Sequence, residues 1–354
     1  MVVHKGKQNL EVCPSAGNCC QTVVDFEESI TAPVSPPASD AGTSALRPGQ
    51  LVEVLGAAEI AKTLDAEGKL DGLPFMPEMV EFCGRQFRVS KRADSTCALG
   101  KPRRLTTTVH LEQLRCDGSA HRDCQAGCLL LWKEAWLRPV NGKSALNFDS
   151  SANEGDQSKL DRLLYDRVSA FARRIGSAQM CQGTELYQAS HPLLLGSSRA
   201  QVARLVRDLF SRKIGGPELQ NLGRYYRGKL ILFAFGTWTR LTGKQSRSGR
   251  TPSQRLHLKP GEWVQVRSAR EILATLDRKA CNRGLQFKAE MFHFCGSKFR
   301  VIGSVGRLIE ENTGRLREIR NDCVLLDSVY CQGQRSFCTR QNYHYWREIW
   351  LTRC

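Results

Sequence analysis

Gly72-Leu73-Pro74-Phe75, Glu78-Met79 and Phe82-Cys83-Gly84-Arg85-Gln86-Phe87-Arg88-Val89 return as Gly284-Leu285-Gln286-Phe287, Glu290-Met291 and Phe294-Cys295-Gly296-Ser297-Lys298-Phe299-Arg300-Val301. The offset is a constant 212, and the match extends without a gap over residues 47–89 and 259–301, with 21 of 43 positions identical. Upstream, Arg47-Pro48-Gly49 becomes Lys259-Pro260-Gly261, and Thr63-Leu64-Asp65 becomes Thr275-Leu276-Asp277. Downstream, Trp132-Lys133-Glu134-Ala135-Trp136-Leu137 becomes Trp346-Arg347-Glu348-Ile349-Trp350-Leu351. Identity this ordered means a duplicated domain, each copy long enough to bury its own core.

Within each copy the pattern reads as short strands. Leu51–Leu55 and Trp263–Val266 alternate, Ile60 and Leu64 share one face of a helical turn, and Met79–Val89 reads as strand, Gly84 turn, strand. Thr107–Leu114 and Leu129–Leu137 complete the unit. The expected fold is mainly β with an α insertion: two tandem small β-barrels separated by a basic helical segment. The expected boundaries are a disordered N-terminal arm at 1–46, the first repeat at 47–141, a linker at 142–158, a basic helical connector at 159–258 and the second repeat at 259–354. In the connector, Ser158 is placed to cap a helix with Leu160, Leu163, Leu164, Val168, Phe171 and Ile175 inward. Ser198 is placed to cap another. The apolar run Leu230–Trp238 reads as a helix buried between the barrels, too short to span a bilayer and otherwise suited to a membrane interface.

The formal charge of +17 is concentrated: residues 159–258 hold 18 Lys/Arg against 5 Asp/Glu. A field of that sign predicts a polyanionic partner, nucleic acid or an anionic surface, with Arg199, Arg204, Arg207, Arg212, Arg224, Arg227 and Lys229 as its contacts. A solvated arginine-rich face is the competing reading, and a protein partner fits the composition equally. No apolar run is long enough for a transmembrane segment, and Met1-Val2-Val3-His4-Lys5 lacks a signal-peptide core, so a cytoplasmic setting is expected.

In that setting, 15 cysteines point to metal rather than disulfides. Cys116, His121, Cys124 and Cys128 share one Gly-containing loop, with Cys97 upstream, and supply the soft donors a tetrahedral zinc takes. The second copy keeps Cys331 and Cys338, but Asn342 stands in place of Cys128; Cys323, His344 and Cys181 are candidates for its missing ligand. Buried thiols acting as small hydrophobes are the plainer alternative, best suited to Cys83 and Cys295. A third is a reactive thiol at Cys124 or Cys338, activated by neighbouring cations. The duplicated Asp65/Asp277, Glu78/Glu290, Arg88/Arg300 and Glu134/Glu348 are expected to be structural, Glu134 and Glu348 by pairing with arginine. The duplicated tryptophans are expected in the core. No phosphate-cradling glycine loop, Gly-x-Ser-x-Gly or His-Glu-x-x-His is present.

The paired motifs Phe-Cys-Gly-x-x-Phe-Arg-Val and Trp-Lys/Arg-Glu-x-Trp-Leu resemble those of a bacterial protein family to which no activity attaches. The Pro-Gly, Val-x-Val strand and Gly turn also resemble Src-homology-3-like barrels in pattern. The expected function is a non-enzymatic, zinc-stabilised binding or scaffold protein engaging a polyanion. The alternatives are a metal- or thiol-dependent enzyme or accessory factor of a biosynthetic pathway, and a peripheral membrane adaptor.

Overall fold

The computed structural model describes residues 45–140, 154–172, 179–193, 216–242, 251–320, 323–333 and 338–354. The N-terminal arm, with Cys13, Cys19 and Cys20, and the expected Ser198 helix, with Arg199, Arg204, Arg207 and Arg212, lie outside these residues.

The two copies build the same antiparallel sheet. In the first, five strands stand in the order Trp132–Lys133, Thr108–Leu111, Gln86–Arg92, Leu51–Val54 and Leu137–Pro139. The second repeats it as Tyr343–Arg347, Cys323–Tyr330, Lys298–Ser304, Trp263–Val266 and Leu351–Arg353. Alternation decides the buried face, with Val52, Val54, Val264 and Val266 fully enclosed. Even the irregularity is duplicated: the register shifts between Val89 and Lys91 and again between Val301 and Gly303. Mainly β with a few helices is therefore the observed class.

The Met79–Val89 segment differs from the strand–turn–strand expectation. Pro77–Phe82 and its counterpart Ala289–Phe294 are 3-10 helices. Proline at the first position of Pro77–Phe82 presets the backbone angle and has no N–H to leave unpaired. Gly84 (φ 72°) and Gly296 (φ 80°) then take the left-handed turn into the next strand. Phe75 meets Trp132 and Trp136 edge-on, and Phe287 meets Trp346 and Trp350 in the same way. All four tryptophans are enclosed. Trp136 and Trp350 each donate to a threonine, Thr63 and Thr275, at 3.0 Å.

The connector does not stand apart from the repeats. Glu154–Ala172 packs on Pro77–Phe82, and Gly216–Thr242 packs on Ala289–Phe294, so each copy carries a helix over the same surface. Ser158 lies inside the first helix rather than at its cap. Leu164 and Val168 are buried, whereas Leu163 is 58% exposed. Gln182 bonds both backbone groups of Leu131 and the Pro74 carbonyl, tying the following segment into the first core. The expectation of a buried Leu230–Trp238 helix is corrected: Phe235 packs on the second core, but Leu230 and Phe233 are 70% and 74% exposed. Among the described residues, the surface this helix packs on is Ala289–Phe294 and the second core.

The cysteine loops cross between the copies. Gln125 N donates to Arg307 O at 2.9 Å, and the equivalent Thr339 N donates to Ser95 O at 3.2 Å. Cys124 accepts from Ile309 N at 3.4 Å, while Cys338 lies 3.1 Å from Cys97, the counterpart of Ile309. Arg115 reaches the Gly127 and Gln341 carbonyls together, again equivalent positions. This reciprocity is that of a two-fold interface, here within one chain.

Candidate metal centre

Between the crossed loops lies a cavity of about 80 Å³. It has room for a few waters and is smaller than the ~150 Å³ needed to admit benzene. One wall carries Glu78, Cys116 and His121. Each arrives from a different local device. Glu78 sits on the first turn of the Pro77–Phe82 helix, Cys116 follows the Arg115–Leu129 bridge, and His121 ends a single 3-10 turn at 119–121. Gly118 (φ 80°) makes that turn: a Cβ there would lie 2.0 Å from the Cys124 carbonyl oxygen.

Cys116 Sγ is 3.3 Å from His121 Nε2, and Glu78 Oε1 is 3.9 Å from His121 Nδ1. One ligand atom from each residue fits within 4.8 Å of the other two. Donors on a tetrahedral zinc are about 3.4–3.7 Å apart, given Zn–S near 2.3 Å and Zn–N near 2.0–2.1 Å. Because the two separations run to different ring nitrogens, of which one ion takes one, it is the one-atom-each spacing within 4.8 Å that admits an ion. So does the polar accounting: Glu78 and His121 are buried, and both Glu78 oxygens and His121 Nδ1 lack a hydrogen-bond partner. Burial pushes the Glu78 carboxyl up and the His121 imidazole down, and burial followed by the Glu78 charge pushes the Cys116 thiol up. Burial drives all three toward neutrality. A divalent ion would reverse that by favouring carboxylate and thiolate.

Of the residues singled out in the sequence, the structure thus joins Cys116 and His121. Cys124, Cys128, Cys181 and Cys331 line the same cavity, outside the trio. Burial raises Cys128 to about 11 and Cys181 to about 12. Cys338 turns toward Cys97, and burial raises it as well, against the expectation of an activated thiol. Cys323 does not line the cavity and accepts from Arg347 at 3.1 Å. Arg224, Arg227 and Lys229 are exposed on the Gly216–Thr242 helix, away from the cavity lining.

Glu78 is the candidate ligand that the sequence reading took as structural. Asp65 and Asp277 accept from backbone N–H groups in turns, and Arg88 and Arg300 donate to the Gly49 and Gly261 carbonyls, as structural duplicates should. Glu134 pairs with Arg92, but Glu348 takes three backbone amides instead of an arginine. Glu78 serves no such bond. Its signal is an acid kept in both copies directly before a methionine, Glu78-Met79 and Glu290-Met291, amid apolar neighbours. No protein-family model, curated protein or solved structure matches the chain.

Proposed function

We propose that the chain is a metal-braced binding or scaffold protein, with zinc held by Glu78, Cys116 and His121 fixing the crossed loops of its two repeats. The carrying observation is the Glu78–Cys116–His121 trio, in which Glu78 and His121 are buried, Cys116 is half-buried, and both Glu78 oxygens and His121 Nδ1 lack a hydrogen-bond partner. Three protein donors leave a fourth position facing the cavity, for water or a further thiol. A binding role is favoured over a thiol enzyme because burial raises the Cys128 and Cys181 thiols, which disfavours a thiolate nucleophile at either. The small-barrel reading is supported by the strand order, in which the last strand of each copy returns beside the first after a single 3-10 turn.

Elemental analysis of the purified reduced chain, with a count of reactive thiols, tests this reading. Stoichiometric zinc that Cys116→Ser removes, with loss of stability, is expected. A metal-free chain with an accessible Cys116 would refute it, and a fold left intact without turnover by Cys116→Ser would instead favour a thiol enzyme.

A specific observation favours an anionic membrane surface as the partner over nucleic acid. Tyr226, Leu230, Phe233 and Leu241 form an exposed apolar stripe on the Gly216–Thr242 helix. At about 100° per residue, Arg227 lies on one side of that stripe and Lys229 and Arg240 on the other. Cations flanking an exposed apolar face suit lipid headgroups over an acyl boundary. No helix among the described residues is long and apolar enough to cross a membrane. Flotation with phosphatidylserine vesicles, reduced by Leu230→Ser with Phe233→Ser, is the expected result. Salt-sensitive oligonucleotide binding without flotation would restore the nucleic-acid reading.

A further inference from the structure

The second repeat carries its own donor set, assembled from a different histidine. Glu290 corresponds to Glu78. Cys331 corresponds to Cys116 by structure: each stands two residues before a left-handed glycine, and a Cβ on Gly118 or Gly333 would strike the backbone of Cys124 or Cys338 respectively. Cys116 N also bonds Cys128 O at 2.8 Å, and Cys331 N bonds Asn342 O at 2.8 Å. The histidine breaks the correspondence. Aligned on the tryptophans, His344 answers to Leu130, which is no donor. Yet His344 Nε2 lies 3.7 Å from Glu290 Oε1, and Cys331 Sγ lies 3.4 Å from Glu290 Oε2.

We infer that Glu290, Cys331 and His344 form a second site for a divalent thiophilic ion such as zinc, at the wall of the inter-repeat cavity that Cys331 and His344 line. The inference extends the metal reading of the first repeat to a donor set of its own. Two observations beyond those separations support it. His344 is 3% exposed and its Nε2 has no hydrogen-bond partner. Asn342 Oδ1, on the same cavity wall, is also buried and unpartnered, and an amide oxygen is a competent additional donor. Glu290 bridges the other two donors, Oε1 toward His344 and Oε2 toward Cys331, so the trio is more open than the first and closes further to put one atom of each on an ion. Packing alone asks for no histidine here, since the first copy fills the corresponding position with Leu130, buried at 2% exposure. Two copies that reach Glu, Cys and His from unequal histidine positions share a chemical requirement rather than a loop shape. Metal binding meets that requirement, because it constrains the donors and not their place in the chain.

The test is cobalt(II) titration of the full-length chain, stripped by chelator and kept reduced, followed by the sulfur-to-cobalt charge-transfer band and the bound-metal count. Two ions per chain are expected, with His344→Gln and His121→Gln each retaining one and about half the band. One wild-type ion retained by His344→Gln would overturn the second site and leave the first. One ion lost in His344→Gln but kept in His121→Gln would leave the second site standing and overturn the first. Absence of thiolate-bound cobalt would remove both. If circular dichroism shows that His344→Gln does not fold, Cys331→Ala takes its place, and an unchanged count in that variant overturns the inference.

Discussion

Gly118→Ala separates two costs that glycine substitutions usually mix. Gly118 and Gly84 both have left-handed backbones, with φ of 80° and 72°. A Cβ on Gly84 meets nothing within 4 Å, whereas on Gly118 it lies 2.0 Å from Cys124 O and 2.7 Å from Cys124 N. Gly84→Ala therefore measures the conformational cost alone, about 1–2 kcal/mol. Gly118→Ala must also displace backbone that a side-chain rotation cannot move. Cys124 is anchored in the second core and accepts from Ile309, so the loop cannot yield without opening the contact between copies. A total of about 3–5 kcal/mol is expected, at the level of a broken buried network. Urea denaturation of both variants, zinc-loaded and zinc-stripped, gives the comparison. Gly118→Ala should also bind zinc at least tenfold more weakly, because the turn it distorts carries His121. Equal destabilisation of the two variants, within about 0.5 kcal/mol, would refute the close approach and with it the geometry assigned to the trio.

Gly228→Ala in the Gly216–Thr242 helix sets propensity against packing: alanine is favoured by about 1 kcal/mol in a helix interior, but its Cβ would lie 2.1 Å from Ala289 O. Net destabilisation in thermal melts is expected, and a gain in stability would show that the helix is not held so close. His110 is buried, and burial, its largest influence, lowers its pKa from 6.5 to about 4. The unfolded chain therefore takes up the proton first; stability from this group is complete above pH 6.5 and is lost as pH falls to about 4, by up to about 3 kcal/mol. His110→Gln should flatten the denaturation-midpoint profile between those values, and an unchanged slope would argue against a buried neutral imidazole. Glu348 accepts from Leu256, His257 and Leu258 N at 2.5, 3.1 and 2.9 Å. Glu348→Gln turns an N–H donor toward donors and should cost about 2–3 kcal/mol in urea; a loss below 0.5 kcal/mol would show that water replaces the carboxylate.

The duplication made half of the fold legible. Alternation placed Leu51–Val54 and Trp263–Val266, and the repeated tryptophans marked both cores, because these signals are local and periodic. Pro77–Phe82 was misread because a six-residue 3-10 turn with apolar residues has no distinctive period. The exposed face of Gly216–Thr242 was misread because a continuous apolar run does not say whether one side or both find a partner. The site was half legible for a similar reason. Cys116 and His121 are close in sequence, and loop spacing brought them forward together. Glu78 reaches them from 38 residues away, through a fold contact that spacing does not encode. The crossing of Gln125 to Arg307 was invisible because it depends on how the copies face each other.

That crossing also explains why the donors lie where they do. If the copies were independent beads, each cysteine loop would close over its own sheet and leave its thiols near solvent. Here Cys124 enters the second core, while the loop at 338–341 bonds Ser95 and Cys97 of the first copy. Six polar or thiol donors face the cavity between the copies: Glu78, His121 and Cys331 are buried, and Cys116, Cys128 and Cys181 are half-buried. Burying them without a cation costs the ionised forms of Glu78, Cys116 and Cys331, each of which is pushed toward the proton-bound state by desolvation. A shared apolar interface would hold the copies together without that penalty. That penalty falls on donors of both copies, and the proposed metal would offset it by favouring carboxylate and thiolate.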